Sequence, residues 1–157
     1  MHTVDVIVET PKGSKCKYKF EKKEKRFRLL KLLPAGLAFP YDFGFIPGSK
    51  GDDGDPLDVM ILSEDSYLRG SVVECTIIGS FKAEQTAKGK TVRNDRIFGV
   101  PVVNNEDKDL ALSDLSKEKI KEIENFFVYY NMMEKKEFKP LGILNAKETW
   151  KTIKKQL

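Results

Sequence analysis

The chain has 157 residues, a formal net charge of +4 and a third of its residues charged, which is the make-up of one globular domain, 1–157, with room for a sizeable core. No long apolar run and no secretory signal is present, so a membrane span and an exported precursor are not expected. A charge of +4 is too modest to argue for nucleic acid, and it suits a small anionic substrate.

In chain order, Val4, Val6 and Val8 alternate with Asp5, Ile7 and Glu9, which predicts a strand. Pro11-Lys12-Gly13-Ser14 reads as a turn. Cys16, Tyr18 and Phe20 alternate with lysines, predicting a second strand with a basic face. Residues 21–25 form a charged turn, and 27–33 a third strand carrying Lys31. Residues 34–48 are rich in Pro, Gly and aromatics, the composition of an ordered connecting loop packed on a core. Strand-like runs follow at 57–62, 72–82 and 92–103, the last two separated by Gly89 as in a hairpin. Such a succession of strands suggests a small barrel. The period then changes. Ile120, Ile123, Phe127 and Tyr130 have helical spacing after Ser116, and Asn145 with Glu148 opens a second amphipathic helix. The isolated Cys16 and Cys75 are expected to be buried thiols of a reducing cytoplasm.

The chemistry concentrates in Gly51-Asp52-Asp53-Gly54-Asp55-Pro56-Leu57-Asp58, where four aspartates fall within seven consecutive residues. Carboxylates this close repel one another unless a cation gathers them, and hard oxygen donors suit Mg²⁺, Mn²⁺ or Ca²⁺. Pro56 and Gly54 shape the turn in advance. A solvated Asp/Gly/Pro turn is the plainer reading, but it requires no further Asp at the start of the following strand. An EF-hand fails on spacing, since Asp58 stands where that loop requires Gly. The sole histidine is His2, which disfavours His-ligated zinc and Ser-His-Asp chemistry. No Gly-Lys-Ser/Thr phosphate loop and no GxGxxG occurs.

Asp53-Gly54-Asp55-Pro56-Leu57-Asp58-Val59 resembles the signature of the soluble family I inorganic pyrophosphatases. Supporting similarities are Val8-Glu9-Thr10-Pro11, Lys17-Tyr18, the stretch 39–45 and Phe126-Phe127-Val128-Tyr129-Tyr130. The resemblance implies a mainly β, α+β fold: a five-stranded OB-like barrel with additional strands and two C-terminal helices. It implies Mg²⁺-dependent hydrolysis of pyrophosphate, with Mn²⁺ as an alternative ion, in a cytoplasmic homo-oligomer, commonly a hexamer. On that basis Asp53 and Asp58 hold metal, Asp55 deprotonates or orients the attacking water as well as approaching metal, and Glu9 is an acidic active-site position. Lys17, Lys31, Arg96 and Tyr130 bind phosphate oxygens. Asn94 stands at a metal-ligand position usually held by Asp. With regular alternation Asn94 shares a face with Arg96, whereas a bulge would bring Asp95 inward. Lys19, Lys31, Phe39, Phe43 and Asn131 also depart from the family pattern. Two alternatives remain at this level: hydrolysis of another phosphoanhydride, such as a nucleotide or short polyphosphate, and a non-catalytic OB-like binding module.

Overall fold

A computed structural model describes residues 1–103, 107 and 109–157. Nine strands and two helices are present among them: β1 (Thr3–Thr10), β2 (Cys16–Glu21), β3 (Arg26–Leu32), β4 (Asp42–Phe45), β5 (Asp58–Ile61), β6 (Val72–Ala87), β7 (Lys90–Arg93), β8 (Arg96–Pro101), α1 (Lys117–Met133), β9 (Glu137–Asn145) and α2 (Ala146–Lys154). Strands pair in the order β1-β4-β5-β8-β6, and β6 pairs back to β1. The five strands therefore close into a ring, the OB-like barrel. Only β5 and β8 run parallel within it. Closure removes the exposed edges that an open sheet would carry.

The sixteen-residue β6 makes closure feasible. Its first part pairs with β1, from Ile7↔Val72 to Thr3↔Thr76, and its later part pairs with β9, from Gly79↔Asn145 to Thr86↔Glu137. The change of partner falls near Gly79, at φ +148, where a Cβ would lie 2.7 Å from the Leu144 carbonyl oxygen and 2.9 Å from Leu112 Cβ. Only glycine meets both demands.

Period-two alternation sorts the apolar residues onto two faces. Val4, Val6, Val8, Val59, Ile61, Val73, Cys75, Ile77 and Ile97 form one cluster, into which α2 inserts Ile153. Met60, Ile78, Phe81, Phe98 and Val100, on the alternate positions, pack with Phe39 and Phe43 against Ile123, Phe126, Phe127 and Tyr130 of α1. Each buried Phe contributes about 1.5–3 kcal/mol, so α1 is held by its face on the barrel. Ser116 caps its start by accepting from Lys119 N–H at 3.1 Å. Asn145 and Glu148 make the reciprocal capping box of α2, both bonds at 2.9 Å.

Four readings of the sequence change. The stretch 34–48 is not only a loop. It contains β4, whose four residues are all buried, so no polar face marks it as a strand. The run 92–103 is broken: β6 extends to Ala87, β7 is short, and Asn94-Asp95 interrupt the path into β8. β9 went unread, because Pro140 and Gly142 look like breakers. The register shift opposite Lys82/Ala83 accommodates them at the edge of β6. Both cysteines are free, but only Cys75 is buried; Cys16 is half-buried.

Candidate active site

Glu9, next to last in β1, lies on the face opposite Val6 and Val8. Its Oε2 accepts from Phe20 N–H at 2.9 Å, which ties the β2–β3 hairpin to the barrel. Burial pushes its carboxyl up to about 7. The Phe20 bond opposes this, the charge of Asp58 adds to it, and Lys17 and Lys19 lower it.

The aspartate loop is organised by its own backbone. Gly51 N–H donates to the Asp55 carbonyl at 2.7 Å and Gly54 N–H to the Gly51 carbonyl at 3.0 Å. Asp55 N–H donates to Asp53 Oδ1 at 3.0 Å. Gly54 sits at φ +86, a conformation open to glycine. The end of α2 braces the loop, with Lys50 N–H donating to the Gln156 carbonyl at 2.8 Å and Gln156 Nε2 to Asp52 Oδ1 at 3.2 Å. Asp53 and Asp55 are exposed, whereas Asp58 opens β5 and meets Arg96 from β8, whose Nη1 donates to Asp58 Oδ2 at 2.8 Å. Burial raises the Asp58 carboxyl; Arg96 and Lys17 act against this, while Asp53 and Asp55 reinforce it. Arg96 is buried, its guanidinium 5.2 Å from the Phe127 ring and 5.4 Å from that of Phe138.

Asn94 and Asp95 diverge. Asn94 Nδ2 donates to Asp53 Oδ2 at 3.4 Å and bonds Gln85 Oε1. The Asp95 carboxylate is engaged by Arg93 and by Ala83 N–H at 3.0 Å. Gln85, buried on β6, was not singled out in the sequence. Its place beside Asn94 arises from the β6–β7 register and has no local signature.

Lys17 and Lys31 face each other across β2–β3, and both ammonium groups stand over the Tyr130 ring, at 4.7 and 5.3 Å from its centroid. Burial lowers the Lys17 ammonium, partly offset by Asp58, Glu134 and Glu9. Tyr130 is buried, its hydroxyl has no hydrogen-bond partner among the described residues, and burial with the Glu134 charge pushes its phenol upward. Glu134, also missed, accepts from Lys31 Nζ at 2.6 Å, with Lys17 Nζ at 3.8 Å. Its only sequence signal is its place one helical turn after Tyr130.

A carboxylate wall thus stands near a cationic one. Among the described residues no three His, Cys, Asp or Glu side chains are close enough together to hold an ion. The donors nevertheless fit a hard divalent cation in kind: the charges of Asp53 and Asp55 bear on Asp58, and that of Asp58 on Glu9. Glu9 and Asp58 are raised chiefly by burial, so both carboxylates have lost solvation that a bound cation would replace.

The ring, its helices and this two-signed site define an OB-like barrel protein suited to a small polyanion. The sequence pattern described as inorganic pyrophosphatase matches residues 6–157. An inorganic pyrophosphatase of Synechocystis sp. is 36% identical over 140 residues, covering 88% of this chain and 80% of that protein. The structure of an inorganic pyrophosphatase from Neisseria gonorrhoeae superposes with a TM-score of 0.86 at 32% identity, over 98% of this chain and 88% of the other. That of an inorganic phosphatase from Anaplasma phagocytophilum gives 0.89 at 25%, over 98% and 91%. The chain belongs to the inorganic pyrophosphatase family, whose activity is metal-dependent, and is a hydrolase of the inorganic diphosphatase class. Among the described residues no helix is long and apolar enough to cross a membrane.

Proposed function

We propose that residues 1–157 form one catalytic domain that hydrolyses pyrophosphate to two phosphates with Mg²⁺ as its ion, in the cytoplasm and as a homo-oligomer. Mn²⁺ is the alternative ion. The observation that carries this reading is the pairing of an under-compensated carboxylate set with two lysines gathered on one tyrosine. Asp53 and Asp58 would hold the metal, with Glu9, Asp55 and Asn94 beside them and Asp95 as the alternative to Asn94. When bound, divalent ions neutralise pyrophosphate and make water acidic enough to attack at neutral pH.

The remaining work falls to this chain's own groups. Asp55, exposed on its braced loop, accepts the proton of the attacking water at its carboxylate. Arg96 holds Asp58 through Nη1 and presents its remaining N–H groups to phosphoryl oxygen. Its buried Nε has no protein partner. Lys17 and Lys31 bind oxygens of the second phosphate, and the unpartnered Tyr130 hydroxyl donates to one of them. No covalent intermediate is required.

Phosphate release from pyrophosphate, ATP and tripolyphosphate, with and without Mg²⁺, tests the reading. Pyrophosphate is expected to be preferred and chelator to abolish turnover. Asp55→Asn is expected to retain metal binding and lose at least about 100-fold in kcat, within the range of general-base contributions. Near-normal turnover by Asp55→Asn would remove Asp55 from its role.

A further inference from the structure

We propose that Glu134 is a resident counter-anion of the phosphate pocket, which occupies the lysines when substrate is absent and competes with phosphate for them. The proposal rests on the reading that Lys17 and Lys31 take phosphate oxygens.

Like charges directly opposite on paired strands are unfavourable, yet Lys17 and Lys31 are register partners. Their proximity is offset by the Tyr130 ring beneath both and by Glu134 between them. The two contacts differ. Lys31 Nζ at 2.6 Å makes a charge-assisted hydrogen bond, while Lys17 Nζ at 3.8 Å is held by Coulomb attraction alone. Lys136 Nζ lies 3.4 Å from the other oxygen of Glu134. Three ammonium groups thus surround one carboxylate.

Helix physics does not account for an acid here. Glu134 is the C-cap of α1, and its own N–H donates to the Asn131 and Met132 carbonyls. The C-terminal end of a helix favours cations and disfavours carboxylates. Glu134 is therefore held by the lysines, against the helix dipole. Its carboxyl is lowered even though burial acts to raise it, because Lys31, Lys17 and Lys136 together prevail. One turn earlier on α1 lies the Tyr130 hydroxyl, buried and without a partner. The pocket thus holds one satisfied anion position and one unsatisfied donor.

An incoming phosphate oxygen finds the ammonium groups already placed, but it must share them with Glu134. The lysine positions are prearranged, and the affinity for phosphate is held down. Weakened binding of product, rather than of the transition state, favours release.

Inorganic phosphate, titrated calorimetrically at fixed Mg²⁺ and ionic strength, tests this. Glu134→Gln keeps the shape and removes the charge. A unit charge roughly 6 Å from the ligand, screened by solvent to an effective dielectric of roughly 40–80, alters affinity by about three- to ten-fold. Phosphate is therefore expected to bind Glu134→Gln at least about three-fold more tightly. KM for pyrophosphate should fall with it while kcat does not rise, and Glu134→Asp should restore most of the wild-type affinity. Weaker or unchanged phosphate binding by Glu134→Gln, in protein that melts like wild type, would overturn the proposal and leave Glu134 as a structural tether. Lys17→Ala and Lys31→Ala separate the two layers. If neither weakens phosphate binding, the phosphate pocket itself is misassigned. If they weaken it and Glu134→Gln does not tighten it, only the counter-anion fails.

Discussion

Glu9 offers a measurement of the electrostatic tension in the site before any substrate is added. Its carboxyl is raised from an ordinary 4.5 to about 7, first by burial and then by Asp58. Such a rise corresponds to roughly 3 kcal/mol of destabilisation once the group is ionised. Because Glu9 is partly accessible, the effect expected in solution is about 1–3 kcal/mol. Between pH 4.5 and about 7 the folded state holds a proton that the unfolded chain has lost, so stability falls as pH rises through this window. Below pH 4.5 both states are protonated and the penalty is absent; above about pH 7 it is complete.

Glu9→Gln removes the titration while its amide oxygen can still accept from Phe20 N–H. Urea unfolding in the presence of chelator, followed across pH, is the assay. Wild type and Glu9→Gln are expected to diverge steadily from pH 4.5 upward, with the variant more stable above pH 7 by about 1–3 kcal/mol. Added Mg²⁺ should narrow the gap by stabilising the wild type, whose ionised carboxylates bind it. Parallel curves for the two proteins in chelator would refute the account of burial and charge at Glu9.

Two further outcomes follow from the geometry. Lys17→Ala should lower kcat/KM for pyrophosphate at least about ten-fold, equal to about 1.4 kcal/mol of transition-state stabilisation; Lys15→Ala, at an exposed residue before β2, should change it far less, and equal losses would mean diffuse steering by a basic face. Asn94→Asp should tighten Mg²⁺ in a calorimetric titration by placing a second charge beside Asp53, whereas Asp95→Ala should leave Mg²⁺ affinity nearly unchanged and lower the melting temperature, because it strips partners from Arg93 and the buried Ala83 N–H; the reverse order of metal affinities would make Asp95 the ligand.

What the sequence made legible was local chemistry. The aspartate loop could be read because Gly54 and Pro56 shape it within a few residues, and both helices because their caps are sequence-adjacent. β4 was hidden because its residues are buried on both faces, so the alternation that betrays a strand is missing. β9 was hidden by Pro140 and Gly142, tolerated only because β6 shifts register there. In the site, the carboxylates and lysines were visible as residue types, but their partners were not. Asp58 meets Arg96 through the parallel β5–β8 pairing, Glu134 meets Lys31 through packing of α1 on the hairpin, and Gln85 meets Asn94 across β6 and β7. Each is a long-range contact that no window of sequence contains.

Burial sets the charged groups of the site against folding at Glu9, Asp58 and Lys17, while the Tyr130 phenol is neutral near pH 7 folded or unfolded. Glu9, Asp58 and Tyr130 are raised, and Lys17 is lowered, in each case chiefly by burial. Every shift moves a group away from its charged form, so none of the four is where its ionised state is most comfortable. The aromatic layer supplies the compensation. Phe39 and Phe126 pack on Tyr130, Phe127 lies beneath Arg96 and Phe43 joins Phe39 to Phe127, and their burial holds α1 against the barrel whatever the charges do. The Tyr130 ring that these phenylalanines support in turn seats both lysine ammonium groups. A core that stands on its own apolar packing thus lets the site keep carboxylates and cations half-buried, partly paired as Asp58–Arg96 and Glu134–Lys31, where a polyanion and its cation can engage them.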